Sequence, residues 1–539
     1  MADALGTVLG VAGLIAAFKG AVDGYMLLEA FFDDDTGCGY LSLRYHIEKH
    51  KLGIWGDFFK TSDPATCTLT KQPDVVKHLI LRILGEIKKT HEDAEPFIKK
   101  HHLSEAKIPV GDVDKSLQPN SKMAQQIAAA ASQRKTKGRI SWIIGKKDKF
   151  AELVTRLQQL NRDLYDILQP ADIDLLQKAL SSYVLAQIKG TNYVQMLQDP
   201  KAQSPRLLAL SAQLMDLQQK TGATGKTGVI SIQKESLTLK HQKWTTGLYK
   251  DADGLTHSIW IEWTTLEPTL PSYATLRARA ESLTVTLQTV NEPSLRIPPC
   301  CGTFDDLAFE AIHGIKRLGT VFTVPEAEGY EENLRQFEPT TLKQLLRASR
   351  NSPPLLGDRF KLAYALVSAF SLFHAAGWLH KGFRSENIVF LHGKCGRGIS
   401  IAKPLITGFQ YSRTQDERSL EQNKVQDAEV EYYYHAEAAG GFTKRLDLYS
   451  LGVVLCEVGR WELLADSIPP TEREKLKRRD WATKFITRSP LADLGWRMGE
   501  RYRDVVRTLL TLELPNDNDE FFAHEFLSKV IIPIESCKV

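Results

Sequence analysis

The sequence predicts a multidomain protein: an all-α helical bundle, then an α+β region with a small sheet-rich lobe ahead of a helical one. Three observations predict it. The chain has 539 residues, more than one compact core accommodates. Residues 1 to about 215 repeat apolar side chains at helical period, stretch after stretch. Beyond residue 230 the pattern becomes short alternating runs, and then long apolar helices.

The first element is residues 4–22, ALGTVLGVAGLIAAFKGAV, which carry one charge, Lys19, over a length that nearly spans a bilayer core. A secretory signal wants a positive start, and this one begins Met-Ala-Asp. Gly6-x-x-x-Gly10 and Ala12-x-x-x-Ala16 are spacings that let helices approach closely in lipid. On these residues alone two readings stand, a small-residue helix in a bundle core and a membrane-inserting helix. The candidates for insertion are Leu5, Gly6, Leu9, Gly10, Gly13, Leu14, Ile15 and Phe18.

Next, Val75, Val76, Leu79, Ile80, Ile83, Leu84 and Ile87 form one helical stripe, and residues 104–122 read as loop. The run RKTKGRISWIIGKKDKF, 134–150, holds Arg134, Lys135, Lys137, Arg139, Lys146, Lys147 and Lys149 against one acid, Asp148, with Trp142 in its middle. Clustered cations gain about 1 kcal/mol each near an anionic leaflet, and Trp prefers the interface. The alternative is a solvated basic turn with Trp142 in the core. No nucleic-acid-binding signature accompanies the charge, so no nucleic-acid partner is expected. The stripe Phe150, Leu153, Val154, Leu157, Leu160, Leu164 and Ile167 follows, capped by Asp148 and stopped by Pro170. Two more helices are expected near 172–189 and 205–219, closing a bundle over 1–219.

KTGATGKTG, within 220–232, reads as a linker. Its Gly225-Lys226-Thr227 lacks the earlier glycine of a phosphate loop, since position 220 is Lys. The net charge of +4 is too small to imply a polyanionic partner. Seven cysteines without metal-ligand spacing point to a reducing compartment, a cytoplasmic protein and no metal site.

In 233–535, ESLTLKHQKW, HSIWIEWTT and GTVFTVP alternate as strands. Long helices follow in DRFKLAYALVSAFSLFHAAG, with Asp358 as cap and Gly377 at its end, and in RLDLYSLGVVLCEVG. LHKGFRSENIVF after a long apolar helix, then ITGFQYSR, YYYHAEAA and DLYSLGVVLCEV, together resemble the protein-kinase fold. The resemblance implies a bilobal α+β fold in which Glu437 and Asp447 are structural, Asp447 bracing the catalytic-loop backbone. The catalytic positions are degenerate. Gly382 stands for the base, Gly408 for the metal-binding aspartate, and Glu262 aligns with the phosphate-holding lysine. No lysine lies between Lys250 and Lys316, and no aspartate between Asp358 and Asp416, so no shift of register restores these groups. Gly247 and Gly254 are too far apart for a lid over one pyrophosphate. Asn387 is the one retained cofactor candidate, and Glu386 and His380 are the remaining surrogate bases. The expectation is a pseudokinase with no cofactor, metal-free nucleotide binding staying open as an alternative.

GTVLGVAGLIAAFKGAVDGYMLLE, LSLRYHIEKHKLGIWGDFF and ISWIIGKKDKFAELVTRLQQLNRDLYDILQP resemble, in that order, the HeLo domain of fungal prion-inhibition and heterokaryon-incompatibility proteins. That resemblance implies a soluble bundle whose first helix enters membrane on activation, causing leakage and cell death. A HeLo-like bundle joined to a dead kinase is similar in architecture to the mixed-lineage kinase domain-like executioners of necroptosis. The expected partners are anionic membrane lipid, further copies of the chain and an upstream signalling protein, with relocation to the plasma membrane on activation. Thr414 and Ser419 are candidate phosphosites, and TGKTGVISIQ is a β-prone contact stretch. The alternatives are an atypical active Ser/Thr kinase targeted by its bundle, and a scaffold with no chemistry.

Overall fold

The computed structural model describes residues 10–29, 39–99, 147–187, 191–224, 230–240, 246–266, 277, 281, 283–288, 292–323, 337–393, 399–409, 413–414, 431–467, 489–515 and 521–537. The chain divides into two compact units, Met1–Ala212 and Gln213–Val539.

Unit 1 is helical among its described residues: α1 Val11–Glu29, α2 Gly39–Phe58, α3 Asp74–Lys99, α4 Lys147–Tyr165, α5 Pro170–Gln187, α6 Thr191–Gln198 and the start of α7, Arg206–Thr224. The 3.6-residue period puts one side of each of α1 to α4 into a shared core of Leu14, Tyr25, Tyr45, Trp55, Ile83, Leu84, Ile87, Val154, Leu157 and Leu164. Burying one such side chain stabilises the fold by roughly 1.5–3 kcal/mol.

Three sequence expectations need correction here. On α3, Val75 is 81% exposed and Leu79 46% exposed, so the buried stripe starts a turn later, with Ile80, Ile83, Leu84 and Ile87. Pro170 does not stop α4, which has already ended at Tyr165; it opens α5, where its missing N–H is harmless. The proposed linker is partly structured. α7 continues to Thr224, and Ser231 bridges Thr303 in parallel, so only a short stretch inside 220–232 joins the two patterns. The unit boundary falls correspondingly earlier, after Ala212. Residues 104–122 lie outside the described residues.

Unit 2 opens with a five-stranded antiparallel sheet in the order β1-β2-β3-β5-β4. Its strands are β1 Leu237–Lys240, β2 Thr246–Lys250, β3 Thr256–Leu266, β4 Cys300–Asp305 and β5 Lys316–Thr323. The sequence pattern had shown three of the five. β2 was hidden because Gly247 lies inside it, where a Cβ would meet the Thr238 carbonyl oxygen at 2.4 Å. Gly254 takes φ +83° in the tight turn between β2 and β3. Alternation along β3 sends Ile259 and Ile261 into a core with Phe304 and Val321. Trp260 and Glu262 therefore point to the other face.

Helices α8 Leu307–His313, α9 Leu342–Ala348, α10 Leu356–Ala375 and α11 Lys444–Arg460 follow, then α12 Ser489–Met498, α13 Glu500–Leu510, α14 Phe522–Phe526 and α15 Ile532–Glu535. β6 Phe337–Thr341, β8 Ile388–Gly393 and β9 Leu405–Ile406 form a three-stranded sheet, and β7 Trp378–Leu379 pairs with β10 Arg413–Thr414. α10 and α11 are buried nearly all round, as core helices are. Asp358 lies inside the first turn of α10 and bonds Lys361, so it is not the cap; Leu355 holds that position. Gly377, at φ +74°, turns the chain after the helix.

Candidate functional site

Among the described residues α1 is the one helix long and apolar enough to cross a bilayer, with a mean hydropathy of 1.5 over its most apolar window. Gly10 starts it, accepting from the amides of Gly13 and Leu14. Leu14 and Ile15 are buried in the bundle, and the Phe18 ring stacks on Trp55 at 6.2 Å between centroids. Leu5, Gly6 and Leu9 lie outside the described residues. The glycines that let α1 approach α3 are Gly20, set against the Lys88 stem, and Gly24, where a Cβ would stand 2.8 Å from the His91 ring. The sequence spacing had pointed instead to Gly6/Gly10 and Ala12/Ala16. Ala12, Ala16 and Lys19 face outward.

The two ends of α1 are held by different chemistry. Its first half makes apolar contacts. Its last two turns sit in a polar clasp, where Tyr45 donates to the Tyr25 carbonyl oxygen at 3.0 Å and lies 3.1 Å from His91 Nε2. Asn161 of α4 donates to the Tyr25 hydroxyl at 3.2 Å and to the Glu48 carboxylate at 2.9 Å. Glu29 pairs with His46 at 3.0 Å and with Lys49. Burial would raise the Glu29 carboxyl, but the His46 hydrogen bond and the Lys49 charge prevail and hold it down at about 2. Burial lowers His91 to about 4. Burial, with help from the Lys49 and His46 charges, lowers His50 to about 3.

Of the basic run, Arg134, Lys135, Lys137, Arg139, Trp142 and Lys146 lie outside the described residues. Lys147 begins α4 and Lys149 is exposed in its first turn.

In unit 2 the sequence-selected residues converge behind strand β3. Asp447, fully buried on α11, accepts from the backbone amides of His380 and Lys381, both at 2.9 Å, with His374 Nε2 at 3.1 Å. Lys381 takes φ +62°, and Gly382 after it is buried. His380 Nε2 donates to the Thr407 carbonyl oxygen at 2.9 Å, and burial lowers its ring to about 4. Glu386 is taken by Lys343 at 2.6 Å and Arg384 at 2.9 Å, and these bonds outweigh burial and lower its carboxyl. Neither surrogate base is therefore free to accept a proton near neutral pH.

Gly408 adopts φ +80°, and a Cβ there would fall 1.8 Å from Asn387 Nδ2. The glycine is thus needed by the backbone and by its neighbour. Asn387 is buried, and among the described residues its Oδ1 accepts no hydrogen bond. Glu262 is part-buried and bonded to the backbone of the 405–409 segment. It accepts from the Gly408 amide at 3.1 and 3.3 Å, and burial pushes its carboxyl up to about 7. Glu437 also departs from the expectation, with a side chain 59% exposed and only a 3.5 Å contact to Arg445.

The carboxylate that does anchor this region is Glu457 of α11, which sequence reading missed. It accepts from Ser385, from Tyr433 at 2.9 Å and from the Leu464 amide at 3.0 Å, and burial raises it to about 7. Its only sequence signal was a lone acid inside the apolar run GVVLCEVG. Among the described residues no group of three or more His, Cys, Asp or Glu side chains could hold a metal ion.

No curated protein sequence matches the chain. Residues 6–199 match the family model of HeLo, described as prion-inhibition and propagation, so the N-terminal part of this chain carries a HeLo domain.

Proposed function

We propose that this chain is a membrane-permeabilising cell-death effector whose HeLo bundle acts on lipid under the control of a catalytically dead kinase-like unit. HeLo is associated with fungal prion inhibition and cell death, which supports this reading for residues 6–199. The observation that carries the membrane step is α1 itself, the bilayer-length apolar helix inside that match, whose N-terminal half packs through apolar side chains among the described residues. Hydrocarbon chains can replace such contacts at little net cost, whereas they cannot replace hydrogen bonds. The exposed Lys149 in the first turn of α4 fits an anionic leaflet, and self-association of released helices would follow.

Several features support reading unit 2 as kinase-like: the strand order β1-β2-β3-β5-β4, the Asp447 brace, and the loop 380–387 leading into β8. The case for absent catalysis rests on Gly382, Gly408 and Glu262 standing where phosphoryl transfer needs a base, a metal ligand and a cation. Such a unit would receive an upstream signal and relay it by conformation.

Dye release from vesicles containing anionic lipid tests the membrane step on the full-length protein. Ala12→Glu and Ala16→Glu sit on the exposed face of α1, so folding stability should change by no more than about 0.5 kcal/mol. A charge at mid-bilayer costs about 2.5–3.5 kcal/mol on insertion scales, so leakage should fall by at least tenfold. Full leakage by both variants, or none by the parent protein at high loading, sinks the proposal. Robust phosphate transfer from ATP with Mg²⁺ would instead favour an active kinase.

A further inference from the structure

The segment 405–409 contains Gly408, whose backbone donor is taken by a side chain 146 residues earlier in the chain. Glu262 lies on β3 in register with Thr320 of β5, on the face opposite the Ile259/Ile261 core. Both of its oxygens lie within hydrogen-bonding distance of Gly408 N, and the Thr407 hydroxyl beside it donates to the Asn387 carbonyl oxygen at 3.1 Å. The Cys300 thiol of β4 lies near enough to feel its charge, and no ion pair of Glu262 is found among the described residues.

From that point the bonds continue without a gap. Thr407 donates through its amide to the Asn387 carbonyl oxygen at 2.8 Å. Its own carbonyl oxygen accepts from His380, and the His380 and Lys381 amides reach Asp447 on α11. Position 408 cannot supply a carboxylate of its own, because Asn387 Nδ2 fills the place of its Cβ.

We infer that Glu262 is an intramolecular latch. Its carboxylate occupies the Gly408 donor, ties the five-stranded sheet to the 405–409 segment, and makes opening of that bond the elementary move by which unit 2 changes state. A hydrogen bond to a carboxylate is worth more than a neutral one, yet little enough to be broken by a binding event elsewhere in the unit. The latch is argued from unit 2 alone, so it stands or falls apart from the membrane reading.

Hydrogen exchange followed by mass spectrometry on the full-length protein tests it. With Glu262→Ala, a peptide covering 405–409 should lose protection by about tenfold or more, while peptides from α10 and α11 keep theirs. With Glu262→Gln, which keeps an acceptor oxygen, the loss should stay below about threefold. Should the alanine variant fail to fold, Glu262→Asp, one methylene shorter, carries the same tenfold expectation. Unchanged exchange at 405–409 in the alanine or aspartate variant overturns the latch. So does an equal loss across α10 and α11, since Glu262 would then support the fold and gate nothing.

Discussion

Gly56 has no side chain because the Phe18 ring is already there: a Cβ would lie 2.0 Å from Phe18 Cζ. The Trp55–Gly56 pair thus forms a seat for the first helix, one residue stacking on the ring and the next admitting it. Gly56→Ala should cost about 1–3 kcal/mol of overpacking, borne by the α1 contact, and should raise hydrogen exchange in α1 before the rest of unit 1. Equal exchange in variant and parent would refute the seat. The degenerate positions Gly382, Gly408 and Glu262 were legible in sequence as departures from a pattern. What Glu262 does instead was not, because a backbone amide leaves no mark in the sequence. Glu437 was assigned by motif position, and Glu457, deep in an apolar helix, was passed over. Burial decides which carboxylate anchors, and burial is a property of neighbours.

Helix α1 shows the same division at the scale of an element. Its composition announced an apolar, bilayer-length helix. The clasp on its last two turns was invisible, since Tyr25 meets Asn161 across 136 residues of chain. If α1 is released as proposed, the clasp would give that release a direction, with the N-terminal half leaving first and the Tyr25–Glu29 end retained as a hinge. Tyr45→Phe removes the donor to Tyr25 O and the partner of His91 Nε2, both buried, and should cost about 1–3 kcal/mol. If the clasp restrains release, this variant leaks dye faster than the parent protein at equal loading. A leakage rate at or below the parent's would show that the clasp is no restraint.

On the scale of the whole molecule, the two units should answer acidification in opposite senses. In unit 1, His91 and His50 have folded-state pKa values of about 4 and about 3, below the unfolded value near 6.5. The unfolded chain therefore binds protons first, and stability present above pH 6.5 is lost as pH falls toward 4, by roughly 3 kcal/mol for each ring. Glu29, held at about 2, adds a further loss only below its unfolded value near 4.5. In unit 2, Glu262 and Glu457 titrate at about 7 when folded, above that same unfolded value. There the folded state keeps its protons longer, so stability is greatest below pH 4.5 and declines as pH rises to 7. Hydrogen exchange at pH 5 and pH 7, corrected for intrinsic rates, should show protection falling in α1–α4 and rising around α11 on acidification. Glu457→Gln should flatten the second trend. Parallel changes in both units would contradict these assignments.

The sequence by itself determined the order of patterns, a helical bundle before a strand-then-helix region, along with the apolar first helix. Those are properties of period and composition, which act over a few residues. Only the tertiary structure decided where the first helix is gripped, which acid anchors α11, and that Glu262 bonds Gly408. Each of those joins groups scores of residues apart, and no local rule records which distant partner will satisfy a buried polar atom.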